Sequence, residues 1–277
     1  MKVCYNNTYL HHFFMCYFTS CVMRLIFSVL IFICTSLISC SNSYQQSQNL
    51  EIPINTIERA ENIYYRLGYT VSFNPELNIP NWVAWELNSS KLIERESRAG
   101  HFYLDPDIPR GIAVETGDYS NSGYDRGHMC PAADNKWDKQ AMRESFYMTN
   151  ICPQHHNLNR GDWKELEDDC RRWVEESGTI YIACGPILYK NDISYIGEER
   201  KIRVPNAFFK VILAGLDEGK PRAIGFIYKN ASGNNPLDHY VNSVDQVERI
   251  TGLDFFSQLP DDVENEIESN YNLNQWR

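Results

Sequence analysis

Three apolar runs, at 179–184, 207–213 and 223–228, constrain the fold of this chain most. They have the length and the β-branched and aromatic content of strands, and Pro186, Pro205 and Pro221 punctuate them. Further strands are expected at 69–73, 82–87 and 111–114, with turn residues between them. Ile57, Ala60, Ile63, Tyr64 and Leu67 fall at helical spacing and predict a short helix over 56–67. A clearer helix spans 162–176, where Trp163, Leu166, Cys170 and Trp173 form one apolar stripe. Asp162 followed by Glu165 reads as a capping box and Gly178 as its stop. The pattern is α+β: a mostly antiparallel sheet with packed helices, in one domain over 56–277. At 43% hydrophobic residues the chain can bury a sizeable core, which excludes global disorder.

Chemistry concentrates in three clusters. In Asp125-Arg126-Gly127-His128, a titratable base follows a fixed positive charge and a residue that permits close approach of an anion. Asn150-Ile151-Cys152-Pro153-Gln154 forms the second cluster, and Asn157-Leu158-Asn159-Arg160-Gly161-Asp162-Trp163 the third. The third opens the 162–176 helix, on which Glu167 and Arg171, four residues apart, share a face. On an ordinary helix such a pair is a solvated ion pair; Asn159 just upstream favours an active-site face.

With Pro131-Ala132, Thr149-Asn150…Pro153-Gln154 and Leu158-Asn159…Trp163…Leu166-Glu167, these clusters resemble the DNA/RNA non-specific endonucleases, the endonuclease G-like family. Pro80-Asn81-Trp82 upstream, and Val204-Pro205…Phe208-Phe209-Lys210 with Ala223-Ile224-Gly225-Phe226 downstream, extend the likeness over about residues 55–260. The resemblance implies a ββα-metal finger and Mg²⁺-dependent hydrolysis of DNA and RNA, with Mn²⁺ as a substitute. His128 is then the general base and Asn159 the metal ligand, with an amide oxygen suited to a hard cation. Glu167 would hold the water around the ion, and Asn150 would fix either the His128 ring or the local loop. Arg126, Arg171 and Arg98 are candidate phosphate clamps, each with an alternative as a structural ion-pair partner. Arg98 enters through Arg98…Phe102…Asp105, which resembles an upstream pattern of the family. Asp125 reads as structural. The family includes dimers, so a homodimer is among the expectations.

With 36 acidic and 26 basic residues, the net charge of −10 excludes a high-affinity nucleic-acid clamp and predicts weak, salt-sensitive substrate binding. Residues 25–38 are apolar, follow Arg24 and end at Leu37-Ile38-Ser39-Cys40. This looks like a bacterial lipoprotein signal over 1–40, with a lipid on Cys40, a polar tether over 41–55 and delivery to the cell envelope. An ordinary signal peptide or a single anchor helix is the alternative, and Met23 would itself serve as a start, leaving 1–22 outside the signal. Beyond it lie Cys130, Cys152, Cys170 and Cys184, an even count that invites pairing, Cys130 with Cys152 first; small buried thiols are the alternative. His155 and His156 beside Cys152 and Cys130 admit a zinc site, though without an established ligand spacing. A nuclease fold that has lost turnover and only binds remains the alternative to the enzyme.

Overall fold

The computed structural model describes residues 49–276. The expected signal segment, Cys40 and most of the tether lie outside them. The tether prediction runs too far into the chain: Leu50 is buried, and β1 (Ile54–Asn55) pairs antiparallel with β13 (Leu253–Asp254). A partner two hundred residues away is invisible to local composition.

The strands that follow are β2 (Asn62–Tyr65), β3 (Thr70–Asn74), β4 (Ile79–Leu87), β5 (Asp125–His128), β6 (Ile151–Gln154) and β7 (Ile180–Ile187). After them come β8 (Tyr195–Ile196), β9 (Ile202–Arg203), β10 (Ala207–Ala214), β11 (Arg222–Lys229) and β12 (Val241–Asn242). Seven of them form one antiparallel sheet in the order β12-β11-β10-β7-β4-β3-β2. The α-helices are α1 (Lys139–Ser145), α2 (His156–Arg160), α3 (Asp162–Ser177), α4 (Val244–Thr251) and α5 (Asp261–Ser269). The expected α+β class with an antiparallel sheet is the observed one. Among the described residues no helix is long and apolar enough to cross a membrane.

Both faces of the sheet are covered, so its central strands read as continuous apolar runs rather than as alternation. Along β10, Phe208 and Ile212 point to a front core with Trp163, Leu166, Cys170 and Trp173 of α3. Phe209, Val211 and Leu213 point to a back core with Val244 and Val247 of α4 and with Phe255, Phe256 and Ile267. The stripe predicted on α3 is therefore its buried face, and Gly178 ends the helix at φ 76°, a conformation that costs a residue with a Cβ.

Three local predictions fail. The 56–67 segment is not a helix: its second half is edge strand β2, paired with β3, and Ile57 and Leu67 are exposed. Non-local ladder pairing overrides a short periodicity. The expected strand at 111–114 is a turn in which Pro109 O accepts from Ile112 N and Ala113 N, leading into a 3₁₀ turn at Thr116–Tyr119. Proline's fixed φ starts that turn. The capping box is absent, because Gly161 is the N-cap and Asp162 turns inward to accept from Tyr240 Oη and, at 2.8 Å, from Asn234 N. A tertiary partner outcompetes the local one.

Candidate active site

Strands β5 and β6 form a hairpin of their own, registered Asp125↔Gln154, Arg126↔Pro153, Gly127↔Cys152 and His128↔Ile151. Helices α2 and α3 follow directly, so all three sequence clusters meet in one ββα finger. Asn230, at the end of β11, fastens it to the sheet by donating to Pro153 O (3.0 Å) and accepting from His155 N (2.7 Å). Gly127 leaves no room for an anion, contrary to expectation. A Cβ there would lie 2.6 Å from Gln154 Cβ, so the glycine admits the Gln154 side chain between the strands.

His128 ends β5, only 8% exposed, with ring centroids 5.3 Å from Phe102 and 4.7 Å from Phe146. Burial, and next the Arg98 charge, lower its pKa to about 3, so the imidazole is neutral at any ordinary pH. Its Nε2 is buried without a hydrogen-bond partner. An orphaned buried acceptor of this kind calls for a ligand that enters the site. Arg98 is exposed, lies 5.1 Å over the Phe146 ring, and forms no ion pair with the described residues. Its upstream pattern converges here too: Phe102 walls the imidazole, while Asp105 is buried and accepts from Arg66 (2.7 Å) and from Thr149 Oγ1 (2.5 Å).

Asn159 donates through Nδ2 to Asp125 Oδ2 at 2.9 Å. That bond fixes which end of the amide is the acceptor, leaving Oδ1 for an incoming cation. Asp125 also accepts from Arg160 (3.1 Å) and faces His156 (3.3 Å).

The remaining expected residues divide. Asn150 is fully buried and bonds to Cys130 N (2.9 Å), Cys130 O (2.9 Å) and Ser145 O (2.8 Å), so it fixes the loop after His128 and not the ring itself. Arg126 lies 5.6 Å from both the Phe102 and Tyr119 ring centroids and donates to Thr116 O (2.5 Å). Arg171 is bound to Asp134 at 2.8 Å and to Asp168. Arg171 is thus held in ion pairs, whereas Arg126 is engaged by a carbonyl and two aromatic rings and has no ion pair among the described residues. Burial raises Glu167 to about 7, opposed first by the Lys210 charge.

Lys210 closes the downstream segment of the family likeness, and no sequence motif assigns it a role. It is fully buried on the front face of β10, with Nζ 4.4 Å from the Trp163 ring and 5.5 Å from that of Trp85. A lone lysine inside an apolar strand is the sequence signal for such a buried cation.

The cysteine pairing is corrected: Cys130, Cys152, Cys170 and Cys184 are free thiols, all buried. Asn135 Nδ2 donates to Cys130 Sγ (3.2 Å), Cys184 Sγ donates to Met129 O (3.3 Å), and burial pushes all four thiols up, away from thiolate reactivity. The histidines take other duties: His155 Nδ1 accepts from Asn157 N at the start of α2, and His156 is exposed beside Asp125. A cavity of about 300 Å³ lies elsewhere, lined by Arg59, Asn74, Asn81 and Thr251 among others and by none of the candidate site residues.

The sequence model of the DNA/RNA non-specific endonucleases matches residues 46–262. The mitochondrial Nuclease 1 of Schizosaccharomyces pombe is 36% identical over 210 residues, covering 70% of this chain and 65% of that protein. A nuclease of Nostoc sp. is 36% identical over 211 residues, covering 73% of this chain and 75% of its own length. Among solved structures, a chain of the EndoG/EndoGI complex superposes with a TM-score of 0.70 at 25% identity, covering 81% of this chain and 96% of that one.

Proposed function

The chain belongs to the DNA/RNA non-specific endonuclease family, and on that premise we propose that it is a Mg²⁺-dependent hydrolase of phosphodiester bonds in DNA and RNA. One observation carries the reading: Asp125 holds the Asn159 amide nitrogen, freeing its oxygen for a hard cation, in the same finger that presents an orphaned His128 Nε2. Asn159 Oδ1 would hold the metal, and Mn²⁺ would fit the same oxygen. When bound, the ion supplies positive charge at the phosphate and the departing 3′ oxygen.

His128 Nε2 takes the proton from the attacking water. Burial favours the neutral imidazole, the form that can accept a proton, and the Phe102 and Phe146 walls fix its plane. Arg98, free of acidic partners among the described residues, binds a phosphate oxygen. Arg126 and Arg171 act at one remove: Arg126 stiffens the wall behind Phe102, and Arg171 holds Asp134 beside Glu167. Glu167 accepts hydrogen bonds from water in the site once it is ionised. Asn150 positions the residue pair that follows β5. Delivery to the bacterial cell envelope through a lipid on Cys40, which lies outside the described residues, and assembly as a homodimer belong to the same proposal.

The test is cleavage of supercoiled plasmid and of RNA by the purified chain, in Mg²⁺ or in EDTA, beside His128→Ala. Both substrates are expected to be degraded only with metal, and the variant to lose about 10²–10⁴-fold in rate. Absence of cleavage in both Mg²⁺ and Mn²⁺ would leave a nuclease fold that binds without cutting.

A further inference from the structure

Behind the sheet, on the face opposite the finger, α4 and α5 bring three carboxylates together. Asp245 and Glu248 are three residues apart, on one side of α4, and Glu268 comes from the last turn of α5. One oxygen of each lies within 4.8 Å of the other two. Glu268 is 4% exposed, and its Oε1 is buried without a hydrogen-bond partner. Glu248 engages only one oxygen elsewhere, accepting from Phe255 N at 2.8 Å.

The surroundings sharpen the imbalance. The charged groups that act most strongly on Glu268 are Glu248, Glu264, Asp254 and Asp245, all acidic. None of these five is ion-paired to a lysine or arginine among the described residues. Arg59, which reaches the end of α4, gives its NH2 donor to Thr251 O (2.7 Å) and Gly252 O (2.9 Å) instead. Like charges this close, one of them withdrawn from water, repel unless something neutralises them.

We propose that Asp245, Glu248 and Glu268 form a Ca²⁺ site that ties α4 to α5 and is separate from the metal position at Asn159. The donors are all carboxylate oxygens, the set a hard cation takes. Ca²⁺ accepts about six to eight oxygens at about 2.3–2.6 Å in a flexible geometry, whereas Mg²⁺ demands a near-ideal octahedron at about 2.1 Å; carboxylates brought together from two separate helices match the more tolerant ion. Water completes the coordination on the half-exposed side of Asp245. The ion's role is structural: the back core closes over Val247, Phe255 and Ile267, and α4 and α5 would otherwise meet across mutual repulsion.

The measurement is thermal unfolding of the full chain in EDTA, in millimolar Ca²⁺ and in millimolar Mg²⁺, for wild type, Asn159→Ala, Glu268→Gln and Asp245→Asn. Ca²⁺ is expected to raise Tm by about 5 °C or more in wild type and equally in Asn159→Ala. Glu268→Gln should keep an EDTA Tm at or above wild type and lose the Ca²⁺ response. Asp245→Asn, on the half-exposed side, should weaken the response in a chain that folds regardless. No Ca²⁺ shift in wild type overturns the site, as does a shift that survives in Glu268→Gln. A shift lost with Asn159→Ala assigns the ion to the finger and overturns it too. An equal or larger shift with Mg²⁺ overturns the choice of Ca²⁺. None of these readings depends on cleavage, so the site and the nuclease activity stand or fall separately.

Discussion

On the front of the sheet Lys210 and Arg171 lie among Asp134 and Glu167; on the back Asp245, Glu248 and Glu268 face one another alone. The front cluster mixes signs, and its members hold each other: Arg171 and the Trp85 indole both reach Asp134, at 2.8 and 3.1 Å. The back cluster carries a single sign and has to recruit its neutraliser from solution or give up charge. Burial alone therefore does not make a charged group a liability or an asset; the sign of its company does. The front arrangement holds a geometry for chemistry, whereas the back one makes a fold responsive to its medium.

The largest test of this division is Phe209→Ala. Phe209 packs on Phe255 in the back core with centroids 5.6 Å apart, and its loss should cost about 3–5 kcal/mol in chemical denaturation. Its kcat should stay at the wild-type level under native conditions. A fall in kcat there would mean that the two faces are mechanically joined. Lys210→Met probes the front mixture. The loss of stability should fall below the roughly 3–5 kcal/mol of an uncompensated break, because Arg171 still faces Asp134. The lysine lowers the Glu167 pKa, so its removal should move the acid limb of the pH–rate profile upward. An unchanged limb would show that Glu167 need not ionise.

The smallest effect is a pair of opposed slopes. The folded His128 value of about 3 lies below its ordinary 6.5, so between these values the unfolded chain binds the extra proton. Its contribution is complete above 6.5 and is lost as pH falls, at up to about 1.4 kcal/mol per pH unit. Glu167 is raised from 4.5 to about 7, so its contribution is present below 4.5 and is lost as pH rises through 7. Urea unfolding in EDTA across pH 4.5–6.5 should therefore show, relative to wild type, a more negative slope in His128→Asn and a more positive one in Glu167→Gln. Slopes of the same sign in both variants would refute the assignment. Glu248 and Glu268 titrate in all three proteins and cancel in the difference.

What the sequence disclosed followed from locality. The central strands and α3 were legible because their burial is continuous along the chain, and the finger because its residues are nearly contiguous. Strand β2 was not, since a four-residue edge strand is decided by the neighbour it pairs with. Gly127 promised open space that Gln154 fills from the other strand. The arginines showed charge but not allegiance: only coordinates reveal that Arg171 belongs to Asp134 and that Arg98 is left exposed over Phe146. The back cluster left no mark in the sequence, because nothing near Asp245 and Glu248 announces Glu268 on the next helix.

Asn150 grips the backbone on two sides, at Cys130 beyond the end of β5 and at Ser145 where α1 ends. The first grip controls the strand that carries His128, and the second the residue before Phe146, whose ring stands edge-on to the imidazole. Base and wall are therefore mounted on one rivet. Any displacement of Asn150 would reach the imidazole and its aromatic wall together, not one without the other.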